Sequence, residues 1–205
     1  MINPRLTSAL VLLFVTITSL SMSSKGSFVD RQGESKTFEL VDFQGDEQDV
    51  NFLEKTFKEH YHLLYVNHKT DPYMEGKGVA FFTTWAKKTK INERKILKVD
   101  NQPVASFICY IYQDNDLFKH INDGDGFIEL FCAYPNKQGY GGIVMEYVLE
   151  YFEEHGCKTG WVPVNPDNVG AQTFYEKKGF KNTNHSGKDI CWMIIDMKNR
   201  SQKKQ

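Results

Sequence analysis

The sequence predicts an α/β (α+β) fold: a single domain on a mixed central sheet flanked by helices. Three observations carry this. The chain has 205 residues, enough for one domain plus a tail. It is 40% hydrophobic and 25% charged, the balance of a chain that buries a core. From residue 37 onward, strand-like and helix-like patterns follow one another in the order strand, helix, hairpin, strand, loop, helix, strand, helix, strand.

Each element has its own signal. Residues 37–43 alternate as a first strand. Residues 49–65 place Phe52, Leu53, Phe57 and Tyr61 on a helical stripe, and either Asp46 or Asp49 suits the cap. Residues 73–90 have no single period. They hold Phe81, Phe82 and Trp85 beside Lys87, Lys88 and Lys90, which read as a solvated face. Residues 95–99 and 104–112 flank Asp100-Asn101-Gln102 as a β-hairpin. Residues 114–126 form a polar loop. Residues 127–133 are a dense apolar run, read as a central strand. A glycine-bearing loop over 135–142 leads into a helix over 143–152, with Val144, Val148 and Tyr151 on one stripe. A short strand at 160–164 precedes a helix at 168–178 that stops at Gly179, a suitable residue just past a helix end. Residues 190–197 read as the last strand and 198–205 as a polar tail.

The N-terminus stands apart. Arg5 is followed by 19 uncharged residues, 6–24, with an apolar heart from Leu10 to Ile17 and a small polar end at Ser23-Ser24. Residues 1–26 therefore read as a signal peptide, and the uncharged run is also long enough for a membrane anchor. Residues 27–36 read as a polar linker, which leaves 37–197 as the domain.

Composition excludes several functions. A net charge of -1 argues against a broad grip on nucleic acid. The four cysteines, Cys109, Cys132, Cys157 and Cys191, form no C-x-x-C pair, so neither a disulfide scaffold nor a structural zinc site is expected. His60, His62 and His68 are too loosely spaced for a helical metal pair. Asp123-Gly124-Asp125-Gly126 resembles a calcium loop only until Ile121 and Cys132 fall where carboxylates belong. No metal is expected.

Lys137-Gln138-Gly139-Tyr140-Gly141-Gly142 lies between a strand and a helix. Glycines there let backbone N–H groups approach a ligand without an intervening Cβ. The helix start adds free N–H groups and a partial positive charge, which suits phosphate or pyrophosphate. A tight turn with glycine for steric reasons is the alternative. The spacing is neither the dinucleotide fingerprint, because Val144 falls on the third glycine position, nor a Walker loop.

Residues 127–152, with Pro135 and Gln138-Gly139-Tyr140-Gly141-Gly142, resemble the acetyl-CoA-binding motif of the GNAT (GCN5-related) N-acetyltransferases, Arg/Gln-x-x-Gly-x-Gly/Ala. Aligning its glycines with Gly139 and Gly141 places Asn136 where Arg or Gln is expected. Asn168-Val169-Gly170-Ala171-Gln172-Thr173-Phe174-Tyr175-Glu176-Lys177-Lys178-Gly179-Phe180 resembles the family's Asn-x-x-Ala-x-x-Phe-Tyr-x-x-x-Gly-Phe stretch, in the expected order.

The resemblance implies an acetyl-CoA co-substrate and direct acetyl transfer to a small-molecule or peptide amine. It implies that Gln138, Gly139, Tyr140, Gly141 and Gly142 hold the diphosphate, and that the backbone of Phe131, Cys132 and Ala133 lies along the pantetheine arm, with Asn168 a further contact or a helix cap. It implies that Tyr175 protonates the departing thiolate and that Glu129 takes the amine proton. The plain alternatives are an aromatic core residue for Tyr175, an outward polar residue for Glu129 and a small buried hydrophobe for Cys132. Asp114, Asp116, Asp123, Asp125 and Glu129 would favour a cationic acceptor. A GNAT-like CoA-binding or non-catalytic interaction module, exported or not, is the competing function. A leader points to the secretory pathway or a membrane contact through residues 6–24, whereas acetyl-CoA dependence points to the cytosol.

Overall fold

The computed structural model describes residues 25–30, 32–64, 92–113, 118–135, 137–186 and 190–203. Their elements are β1 (Lys25–Val29), β2 (Ser35–Asp42), α1 (Glu47–Leu64), β3 (Asn92–Val99), β4 (Gln102–Ile111), β5 (Gly126–Ala133), α2 (Tyr140–Glu154), β6 (Thr159–Val164), α3 (Val169–Lys177), β7 (Lys181–Asn182), β8 (Cys191–Asp196) and α4 (Met197–Lys203). The strands form a mixed sheet in the order β1-β2-β3-β4-β5-β6-β8-β7. The β5–β6 pair is parallel and the other pairs are antiparallel.

Local chemistry explains the boundaries. Asp100 and Asn101 take φ of 48° and 66°, so Val99 and Gln102 close a two-residue hairpin of the kind that favours Asp and Asn. At the start of α1 the two candidate caps divide the work. Asp46 accepts the Asp49 N–H through Oδ1 at 2.8 Å, whereas Asp49 is fully buried with one carboxylate oxygen 2.8 Å from Lys98 Nζ.

Apolar residues on the two sheet faces build separate cores. Phe107, Ile128, Val144, Met145, Val148, Phe152 and Tyr175 belong to the core beneath α2 and α3. Phe52 and Leu53 of α1 cover Ile96, Ile108 and Leu130 on the other face. A third, aromatic cluster joins Tyr112, Phe127, Trp161 and Trp192.

Two segments differ from the sequence reading. The leader boundary at residue 26 and the free linker at 27–36 both give way: β1 pairs with β2 from Lys25↔Glu39 to Val29↔Ser35, and the Lys25–Glu39 ion pair closes the far end at 2.7 Å. Phe28 is the lone aromatic of this segment, and it packs against the main core. The polar tail forms α4, held by Arg200, whose guanidinium reaches Glu146 Oε2 at 2.8 Å and Glu153 Oε1 at 2.9 Å on α2. Among the described residues no helix is long and apolar enough to cross a membrane. Residues 1–24, 73–90 and 114–117 lie outside the described residues, and with them the leader, the aromatic–lysine segment, Asp114 and Asp116.

Candidate active site

The sheet is pinched at one step and split beyond it. β5 and β6 pair only at Gly126↔Gly160 and Phe127↔Trp161. A Cβ on Gly126 would lie 2.5 Å from the Phe152 ring, and one on Gly160 would lie 3.2 Å from the same ring and 3.0 Å from Ile195. Phe152 thus occupies the room that two missing side chains leave, and only there are the strands drawn together. Gly126→Ala is expected to lower stability by about 1–3 kcal/mol through overpacking against a ring that cannot swing aside. A denaturant melt of the variant checks this.

Past the pinch, Phe131, Cys132 and Ala133 pair with Phe107, Ser106 and Ala105 of β4 on one side. No described strand pairs with them on the other. The backbone groups on that side form an open ladder, which an amide-bearing chain can continue.

β5 also carries a bulge. Ile108 faces Leu130 while Cys109 faces Ile128, so Glu129 is the extra residue. Glu129 is half-buried, and its Oε2 accepts a hydrogen bond from the Tyr110 hydroxyl at 3.2 Å. Burial and then the Glu129 charge push the Tyr110 phenol well above its ordinary range, which keeps it a donor. Ser106 Oγ and Cys132 Sγ meet at 2.9 Å. Burial pushes the Cys132 thiol up to about 11 against the opposing Ser106 bonds, so it is neutral near pH 7 and behaves as a small buried side chain. All four cysteines are free and buried.

The start of α2 lies at the split. Gly139, at φ 94°, precedes the helix without a side-chain cap, and the first turn holds no acidic residue. Its carbonyl accepts the Gly142 N–H at 2.8 Å and the Ile143 N–H at 3.4 Å. No acceptor among the described residues takes the amides of Gly139, Tyr140 and Gly141. Of the loop residues named from sequence, these three have N–H groups without an acceptor among the described residues. Gly142 closes the turn, and half-buried Gln138 leads into it. Lys178 Nζ, ion-paired with Glu146 Oε1 at 3.0 Å, lies 3.8 Å from the position of a Gly142 Cβ, a cation beside the helix start that no sequence motif marks. An uncapped, acid-free helix start with a neighbouring lysine suits an anion.

α3 brings up Tyr175. Asn168 caps this helix, its side-chain oxygen accepting the Ala171 N–H at 3.0 Å. At the other end Gly179, at φ 96°, donates its N–H to the Glu176 carbonyl, and the Phe180 N–H bonds back to the Tyr175 carbonyl. That is a Schellman motif. Its usual apolar contact is here the Tyr175–Phe180 ring pair at 5.4 Å. Tyr175 is therefore oriented by the helix end itself. It is 5% exposed, its ring 6.1 Å from Phe131, and its hydroxyl has no hydrogen-bond partner among the described residues. Burial, followed by nearby Cys132, pushes the phenol well above its ordinary range.

Three elements converge at Phe131. Its ring is 5.5 Å from Phe174, and the place of a Gly141 Cβ is 3.5 Å from both rings. The loop, the open strand and the tyrosine helix thus share one locus. Asp125 does not join it as a steering charge: it is buried and accepts the Trp161 indole N–H at 3.0 Å. Among the described residues no group of three or more His, Cys, Asp or Glu side chains is placed to hold a metal. Sequence reasoning missed Tyr110, Ser106, Lys178 and the glycine pair at the pinch. They matter through strand register and tertiary contact, which no local pattern announces.

Comparison with known proteins agrees with this geometry. The profile of the acetyltransferase (GNAT) family matches residues 59–180. No curated relative matches the sequence. Similar solved structures include the GNAT domain of S. lividans PAT, with a TM-score of 0.64 at 15% identity, over 84% of this chain and 96% of that one. Campylobacter jejuni N-acetyltransferase PseH in complex with acetyl coenzyme A gives a TM-score of 0.53 at 18% identity, over 78% and 98%. PaiA N-acetyltransferase of Thermoplasma acidophilum in complex with coenzyme A gives 0.57 at 14%, also over 78% and 98%. With its split sheet, its uncapped glycine turn and a profile match over more than half its length, the chain belongs to the GNAT acetyltransferase family.

Proposed function

We propose that the protein transfers the acetyl group of acetyl-CoA directly to a primary amine. The observation that carries this is the β5–β6 split opening beside the amides of Gly139, Tyr140 and Gly141, which meet no acceptor among the described residues. The residues present fit the co-substrate. Three amides with no acceptor among the described residues and an acid-free helix start match a diphosphate, and the open ladder over 131–133 matches an arm that carries amides of its own.

Bound acetyl-CoA supplies an acetyl thioester, whose carbonyl the amine attacks with release of CoA thiol. A main-chain N–H on the β6 side of 131–133 polarises the thioester carbonyl. Glu129, set out of alternation by its bulge, takes the proton that leaves the amine nitrogen. Tyr175 holds its proton at neutral pH and gives it to the departing sulfur. A leader at residues 6–24 that anchors the chain, with the domain on the cytosolic side, would reconcile the leader with the need for acetyl-CoA.

The full chain incubated with acetyl-CoA and a panel of small and peptide amines is expected to release free thiol in an amine-dependent way. CoA binding without release for any amine would make the protein a binding module. Absence of CoA binding would overturn the reading.

A further inference from the structure

We infer that Phe28 is a positioning residue for the cofactor loop, an inference that rests on the acetyl-CoA reading of that loop. Tyr140, the first residue of α2, stands between Gly139 and Gly141, and no side chain caps the helix. Glycines on both sides leave the backbone permissive, so the directions of the Tyr140 and Gly141 N–H groups rest on one turn, closed by the Gly139 carbonyl on the Gly142 and Ile143 N–H groups. That turn is held in place by what meets the Tyr140 ring and by what meets Gly141.

Gly141 meets Phe131 and Phe174. The Tyr140 ring meets Phe28, edge-on, with centroids 6.0 Å apart and planes at 84°. Phe28 comes from β1, a strand remote in sequence from the loop, held by five paired residues along β2. Its ring is supported in turn by Phe38 at 6.4 Å. Phe38 reaches that place because Gly26, opposite it in the register, has no side chain: a Cβ there would stand 2.7 Å from the Phe38 ring. Gly26, Phe38 and Phe28 therefore form a brace from the sheet edge to the first turn of α2. The Phe28–Tyr140 contact is directional, since an edge-to-face pair fixes ring orientation as well as distance, and the Phe38 ring, tilted at 55° to Phe28, backs it.

A residue that only filled the edge of the core would affect melting and nothing else. A brace has a local signature. In full-length Phe28→Leu, which keeps apolar bulk but loses the edge-on contact, amide exchange at Gly142, Ile143 and Val144 is expected to speed up about tenfold without ligand. Exchange along β4 and β5 should keep wild-type rates. The CoA dissociation constant should rise roughly fivefold to tenfold while kcat stays within twofold. Phe28→Tyr, which retains the ring, should behave as wild type, and Tyr140→Leu tests the same contact from the other side. Exchange and CoA affinity within twofold of wild type in both leucine variants would overturn the inference, whatever happens to Tm. If wild type itself binds no CoA, the acetyl-CoA reading fails while the exchange rates still decide the brace.

Discussion

Tyr175→Phe is expected to lower kcat about a hundredfold and leave the dissociation constant for CoA unchanged, the scale of a single positioned acid. The side chain has no other visible task. Its hydroxyl bonds to nothing among the described residues, so its loss orphans no partner among them, and the ring contacts with Phe131, Phe174 and Phe180 persist in phenylalanine. Stability should therefore stay within about 1 kcal/mol of wild type. The buried phenol has its pKa raised above the usual value near 10, so the wild-type kcat profile should show no alkaline fall from this group below that pH. Pre-steady-state thiol release together with calorimetric CoA titration separates the two effects. A variant with wild-type kcat would reduce Tyr175 to a core aromatic.

Glu129→Gln is the second large effect, with kcat/KM at neutral pH about a hundredfold lower. The isostere keeps the bulge and can still accept from Tyr110, so folding is preserved while proton acceptance is lost. Tyr110→Phe should cost less, about threefold to tenfold, because it leaves the carboxylate in place and removes only the bond that aims it. Steady-state kinetics with one amine found in the thiol screen reads both. A glutamine variant within threefold of wild type would return Glu129 to the status of a polar surface residue.

The sequence announced the features whose causes are local. Gly139 and Gly179 stand at φ 94° and 96°, where glycine is favoured, and Asn168 caps its own helix, so spacing alone located the loop and the tyrosine helix. The hairpin over Asp100-Asn101 was legible for the same reason. The split was not, because Gly126 and Gly160 face each other only through strand register and the ring of Phe152. Tyr110 was hidden likewise, as its partner sits on the neighbouring strand behind a bulge. β1 straddles the end of the leader read at 1–26 and the linker read at 27–36, because Lys25-Gly26-Ser27-Phe28-Val29 is polar and glycine-bearing, and pairing with β2 outweighs its weak propensity. α4 read as a tail because ion pairs from Arg200, rather than a broad apolar stripe, tie it to α2. For the cap of α1 the sequence offers two aspartates, since only tertiary placement shows that Asp49 turns inward to Lys98.

The most direct measurement is amide chemical-shift mapping of the full chain during titration with CoA. The largest changes are expected at Gly139, Tyr140 and Gly141 and along Phe131, Cys132 and Ala133, with β1–β2 amides beyond Phe28 and Phe38 little affected. Changes confined to other surfaces, or none at saturating CoA, would contradict a diphosphate held at the first turn of α2 with its arm laid in the divided sheet.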